Sequence, residues 1–162
     1  MSKYEVSQDR DANYHVVHNG VVPPFKVKKT ITFAGGTTNA IGDHDGTGDP
    51  FDIFTVTGDV LVDVIGVCKT TLVGAATLEV GVAGATAALL PQIADATTLA
   101  VNEFWATDAS PSLAEAYTPT LHGIGGGLDI IGTVGTANIT AGVIDFYCYY
   151  LPVSEDGAVV AA

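Results

Sequence analysis

The sequence is poor in several residue types, and each shortage excludes a class of protein. It has two cysteines, one methionine and one tryptophan among 162 residues, which is far from the composition of a small disulfide-rich scaffold. Its apolar runs are shorter than the roughly 20 residues of a membrane-spanning helix. We also expect no signal peptide, because the first residues lack an apolar segment. The length suits one domain with its own core.

Positive charge is scarce as well. The chain has six Lys and Arg against 18 Asp and Glu, which gives a formal net charge of −12. After residue 29 the only Lys or Arg is Lys69. Phosphate binding requires clustered cations, and binding to anionic lipid requires a cationic face. We therefore expect neither nucleic acid nor a membrane as a partner.

The two cysteines, Cys68 and Cys148, lie far apart in apolar runs that resemble strands. Their spacing fits no metal-ligand motif. Their apolar neighbours favour two buried free thiols, with a disulfide between them as the alternative.

Alanine, valine, threonine and glycine are the commonest residues instead, and they occur in the pattern of short strands. Runs of alternating apolar and polar residues are separated by Gly, Asp and Pro, as in an all-β domain. Because no amphipathic helix separates the runs, we predict a β-sandwich or jelly-roll-like domain. The predicted strands cover residues 25–36, 51–57, 60–69, 76–84, 88–93, 103–107, 128–135 and 139–153.

The domain is expected to carry an extension at each end. Residues 1–24 are polar and end in Pro23 and Pro24, which force an extended chain. We therefore predict an extended N-terminal arm that is ordered mainly by partners. The sandwich spans residues 25–153, and residues 154–162 are predicted to form a flexible acidic tail.

The stretch "DHDGTGD" (residues 43–49) raises the question of a metal site. Asp43, Asp45 and Asp49 offer the hard oxygen ligands that calcium prefers. An EF-hand loop that started at Asp43 would however need a glutamate where Phe54 stands. Aspartate and glycine are also common in ordinary long turns. We therefore predict an inter-strand loop, with no bound metal and no other cofactor.

The sequence shows no catalytic constellation. Cys68 and Cys148 lie in mid-strand without an adjacent histidine, where thiols are usually inert. The run "GIGGG" (residues 123–127) does not match the dinucleotide-binding fingerprint. We expect that the chain is not an enzyme. The enzyme alternative is a polysaccharide depolymerase, which would need a pair of carboxyl groups in a cleft.

Five residues are candidates for contact with a protein partner. Tyr147 and Tyr149 share the face of the last predicted strand that points away from the core, and such aromatic residues are typical of interfaces. Lys26, Lys28 and Lys29 open the first strand and suit an acidic partner. The alternatives are lysines that are simply solvated and a sheet face that is covered by a loop or by the arm.

Two segments, residues 31–92 ("ITFAGGTTNAIGDHDG…") and 137–157 ("ANITAGVIDFYCYYLPVSEDG"), resemble structural proteins of tailed bacteriophages. The small acidic domain with an arm is similar in style to head decoration, or cement, proteins. Such proteins bind the outer capsid surface, often as trimers, and stabilise the head.

The resemblance implies that the major capsid protein and further copies of the chain, as a trimer, are its partners. It implies a place on the capsid surface of the virion, after synthesis in the host cytoplasm. A tail or fibre component, or a host-surface module that binds glycans, is the alternative.

Overall fold

Two antiparallel sheets account for most of the chain. The computed structural model describes residues 25–45, 49–107, 109–112 and 119–162, so the predicted arm, residues 1–24, lies outside the described residues. No helix within these ranges is long and apolar enough to cross a membrane. The strands are β1 (Phe25–Thr32), β2 (Phe51–Thr57), β3 (Val60–Val73), β4 (Thr77–Val82), β5 (Ala85–Ile93), β6 (Phe104–Ala106), β7 (Ala109–Ser112), β8 (His122–Ile124), β9 (Ile130–Gly135), β10 (Ala141–Pro152) and β11 (Ala158–Ala161).

The strand order is that of a jelly roll. Sheet 1 has the order β1-β10-β3-β6-β7, with β8 also paired to β3, and sheet 2 has the order β11-β2-β9-β4-β5. The antiparallel pairs β1–β10, β2–β9, β3–β6 and β4–β5 nest inside one another, as in one long hairpin rolled up on itself. This nesting defines the jelly roll, so the predicted all-β sandwich is confirmed.

The core lies between the two sheets and follows from the alternation of side chains along each strand. In β3 the even-numbered residues from Val60 to Cys68 face the core, while the odd-numbered residues from Leu61 to Val67 face away from it. In β10 the buried side chains of Ile144, Phe146 and Cys148 also face the core. Both assignments agree with the sequence pattern.

Each sheet places a glycine beneath an aromatic ring in this core. A Cβ atom on Gly132 of β9 would lie 2.2 Å from the ring of Phe51, and one on Gly66 of β3 would lie 3.3 Å from the rings of Phe146 and Trp105. Only a residue without a side chain allows the ring of Phe51 to approach β9 this closely.

Polar bonds join the two sheets at both edges. On one edge Trp105 Nε1 donates to the carbonyl oxygen of Pro91 at 3.1 Å, and Thr107 Oγ1 donates to that of Leu89 at 2.9 Å. On the other edge Lys29 Nζ donates to the carbonyl oxygen of Ala162. Pro91 is accommodated inside β5 because β5 is an edge strand, where a missing N–H group leaves no ladder bond unmade.

Three short strands differ from the sequence-based expectation. The predicted flexible tail instead contains β11, which pairs with Phe54–Thr57 of β2 and buries Val159 in the core. Strand β8 pairs with Val60–Val62 in a region that was predicted to be a loop, and β7 pairs with β6. Each is four residues or shorter, so its pairing depends on the neighbouring strand.

Both cysteines are free and buried, as the first of the two alternatives predicted. Burial raises the pKa of the Cys148 thiol to about 12 and also raises the pKa of the Cys68 thiol. Both groups therefore stay protonated at neutral pH, and they serve as small core side chains.

Candidate partner-binding face

The outer face of sheet 1 brings together side chains of β1, β10, β3 and β6 that point away from the core. The strand register sets them in rows that run across the sheet. We call this surface the tyrosine–lysine face. Its residues are Lys26, Lys28, Thr30, Leu61, Asp63, Ile65, Val67, Phe104, Asp145, Tyr147, Tyr149 and Leu151.

Tyr147 lies at the centre of the charged side of this face. Lys28 is directly opposite Tyr147, and Lys26 is opposite Tyr149. The ammonium groups of Lys26 and Lys28 lie 5.9 and 5.7 Å from the centre of the Tyr147 ring. Cations within about 6 Å of a ring are attracted to its π face. The two lysines therefore restrict the ring before any partner binds.

Asp145 anchors the same side of the face. Its carboxylate is buried, with 5% of the residue exposed. It accepts hydrogen bonds from Lys28 Nζ at 2.8 Å and from Thr30 Oγ1 at 2.6 Å. Burial alone would raise the pKa of Asp145, but the bonds from Lys28 and Thr30 and the charges of Lys28 and Lys69 outweigh it, so the pKa is lowered. The bond to Asp145 in turn raises the pKa of Lys28.

The other side of the face is apolar. Ile65 lies opposite Tyr147, and Val67 lies between Asp145 and Phe104. Phe104 is 49% exposed, and Leu151, which lies opposite Leu61, is 38% exposed. Large apolar side chains that share an exposed face are a mark of contact surfaces.

The structure brings together four of the five predicted contact residues, namely Lys26, Lys28, Tyr147 and Tyr149. Lys29 lies on the opposite side of β1, facing Phe146. It is half-buried and donates to the carbonyl oxygen of Ala162. The alternation of β1 already places Lys29 with the apolar residues, so the sequence pattern itself indicates that Lys29 points away from Lys26 and Lys28.

Several members of the face were not assigned to a site from the sequence. The alternation in β3 sets its odd-numbered residues on one side of the strand, but the sequence pattern does not show that this side adjoins Tyr147. Phe104 joins it only through the pairing of β6 with β3. Lys69 is exposed and acts on the carboxylate of Asp145, so it lies beside the face.

The carboxylates of the "DHDGTGD" segment have structural partners. Asp43 is buried and accepts from the backbone N–H of Asn39 at 2.8 Å. Asp49 accepts from the N–H of Val134 at 2.6 Å, and burial raises its pKa in spite of that bond. The His44 N–H donates to Asn138. No group of three or more metal-ligating side chains occurs in the described part of the chain, which excludes residues 46–48.

Comparison with known proteins identified no relative, because no family model, no curated protein and no solved structure matches the chain.

Proposed function

We propose that the chain is a decoration protein of a tailed bacteriophage, which binds the outer surface of the head and stabilises it. The major capsid protein is then its partner, and the virion surface is its location. The observation that carries the proposal is the tyrosine–lysine face, where tyrosines and apolar side chains lie beside lysines on a protein with a net charge of −12.

The face has properties that favour binding to another protein. Tyrosine and phenylalanine provide a large contact area at a small cost in conformational entropy. The hydrogen bonds of Asp145 and the two lysines next to Tyr147 order the charged side in advance. A surface that is already ordered loses less entropy on binding.

Symmetric assembly supports the same proposal. A capsid offers many equivalent positions, so a trimer of the chain would engage several at once and turn modest contacts into firm attachment. Residues 1–24 would add a further contact by reaching a neighbouring capsomer. Jelly rolls occur in viral capsid domains and also in lectins, so the fold agrees with the proposal but does not by itself imply it.

The test is the position and copy number of the protein in purified virions. Cryo-electron microscopy is expected to show it at symmetric positions on the head, in a fixed ratio to the major capsid protein. Density confined to the tail, with few copies per virion, would contradict the proposal and support a tail or fibre component.

Deletion of residues 1–24 provides a second test, of the contribution of the arm. The truncated protein should keep the thermal unfolding transition of the full chain and lose capsid occupancy. Full occupancy by the truncated protein would show that the arm is not needed for attachment.

The half-buried Tyr147 and Tyr149 also suit a second candidate function, the binding of glycans on the host surface. A glycan array probed with the full chain tests it. Binding that is lost in a Tyr147→Ser, Tyr149→Ser variant would favour this alternative, especially if the virion heads lack the protein.

A further inference from the structure

We infer that the tyrosine–lysine face binds an acidic protein surface on which carboxylates lie beside an apolar strip. The inference rests on the proposed function only for the identity of that surface as part of the capsid. It adds which side of the domain docks and what chemistry the partner must present there.

The distribution of lysines supports an acidic partner. The described residues include four lysines, and three of them, Lys26, Lys28 and Lys69, lie on or beside this face. Lys28 is already paired with Asp145. Within the described ranges, neither Lys26 nor Lys69 forms a salt bridge, although the charge of Lys69 acts on the carboxylate of Asp145. Both ammonium groups can therefore still pair with carboxylates of another molecule.

The row structure defines the spacing that the partner must match. Thr30, Asp145, Val67 and Phe104 follow one another across β1, β10, β3 and β6. Neighbouring strands are about 4.8 Å apart, so the lysine edge and Phe104 are separated by roughly 14 Å. A complementary partner therefore carries acidic groups opposite the β1 edge and an apolar patch opposite Phe104. It carries a further acidic group close to that patch, because Lys69 follows Val67 on β3 by two residues.

A second copy of the chain fits this face less well. An identical face would offer the lysines of this face only the carboxylates of Asp63 and Asp145, which are buried, and Asp145 is already bonded to Lys28 and Thr30. The outer face of sheet 2 carries the acidic Asp52 and Glu79, but its other side chains are mainly threonines, with Ile131, which is 9% exposed, and the exposed Val160. The outer face of sheet 2 on a second copy therefore offers no large apolar patch that could pack against Phe104.

The two lysines that form no salt bridge are tested with a double variant, Lys26→Gln with Lys69→Gln, and with Lys29→Gln as the control. Binding to heads that lack the protein is measured by cosedimentation at about 50 and about 300 mM salt. The double variant should bind on the order of 10-fold more weakly at low salt and depend less on salt. Lys29→Gln should bind like the wild type. Equal losses in both variants would overturn the role of the lysines.

The apolar side is tested with Phe104→Ser, and the control is Val160→Ser, which changes a strand residue of similar exposure on sheet 2, 56% against 49%. Phe104→Ser should weaken binding by about 10-fold or more, as expected for an aromatic contact residue. Thermal unfolding of both variants separates lost binding from lost folding. A loss caused by Val160→Ser alone would place the docking surface on sheet 2.

Site-specific photocrosslinking separates this inference from the proposed function. A photoreactive amino acid replaces Thr32, an exposed residue on the same side of β1 as Lys26 and Lys28, or Thr55 on sheet 2, and the crosslinked peptides of purified virions are identified by mass spectrometry. Crosslinks from position 32 to an acidic segment of the capsid protein support both the inference and the proposed function. Capsid crosslinks from position 55 only, or crosslinks from position 32 to a second copy, overturn the inference and leave the function intact. Crosslinks from position 32 to an acidic tail protein support the inference and overturn the function.

Discussion

The two outer faces of the sandwich have the same backbone geometry and very different side chains. Sheet 1 presents tyrosines, lysines and exposed aliphatic groups around Tyr147. Sheet 2 presents small and acidic groups, and its described residues include neither a lysine nor an exposed aromatic ring. Its outward side chains include Asp52, Thr55, Thr57, Glu79, Gln92, Thr133 and Val160.

The inner faces, in contrast, are alike. Both are apolar, and both have a glycine under an aromatic ring, Gly132 under Phe51 and Gly66 under Phe146. The requirements of folding are therefore similar in the two sheets and do not account for the difference outside. The outer face of sheet 2 shows that this fold does not require tyrosines or lysines on an outer face. Their presence on sheet 1 is therefore a candidate for function.

The largest effect is expected in the shared interior. Gly132→Ala would place a Cβ atom 2.2 Å from the ring of Phe51, and overpacking of this kind costs about 2–3 kcal/mol. Gly123→Ala in β8 is the control, because its nearest neighbouring atom is Leu61 Cδ2 at 3.8 Å. Chemical denaturation should show a large loss of stability for the first variant and almost none for the second. Equal stabilities would mean that Phe51 moves aside at little cost.

The next effect compares one carboxylate on each outer face. Asp145→Ala removes a buried acceptor of hydrogen bonds from Lys28 and Thr30 and should cost about 1–3 kcal/mol in the free energy of unfolding. Glu79→Ala removes an exposed bond to Gln92 and should cost less than about 0.5 kcal/mol. If both changes cost the same, Asp145 does not anchor sheet 1.

The pH dependence of stability sharpens this comparison. Because the folded state lowers the pKa of Asp145, its stabilisation is present above the ordinary carboxyl pKa and is lost as pH falls through the lowered value, below about pH 4. The difference in stability between the wild type and Asp145→Asn should therefore shrink on acidification. Asp49, whose pKa is raised, acts in the opposite direction in both proteins, so it cancels in that difference. If this difference in stability stays constant down to about pH 2.5, the lowered pKa of Asp145 is contradicted.

The smallest effect on stability is expected from Tyr147 itself. Its ring lies outside the core and is held by two lysines, so Tyr147→Ser should lower Tm by no more than about 2 °C. Thr55→Ser on sheet 2 is the control. A large fall in Tm for Tyr147→Ser would mean that the ring stabilises the fold, which would contradict its assignment as a partner-binding residue.

Much of the fold could be predicted because alternation along a strand reports which residues share a face. It placed Ile144, Phe146 and Cys148 in the core, and it set Tyr147 and Tyr149 apart from them. The same rule places Lys29 inside, although the charge of Lys29 had grouped it with Lys26 and Lys28.

Pairing between distant strands could not be predicted from the pattern. The four residues of β11 have one buried side chain, Val159, and read alone they resemble a loose end. Phe104 and Ile65 belong to one surface only because β6 pairs with β3 and β3 pairs with β10. Likewise, Asp43 and Asp49 suggest a metal loop until their backbone donors, Asn39 and Val134, are known.

The pairing of β1 with β10 has a consequence for protein synthesis. Thr30 and Asp145, which meet on the tyrosine–lysine face, are 115 positions apart. During translation β1 leaves the ribosome long before β10 is made, and contacts of such long range form slowly. The tyrosine–lysine face is thus completed only when nearly the whole domain has been synthesised. A chain that stops before β10 lacks Asp145, Tyr147 and Tyr149 and cannot present this face.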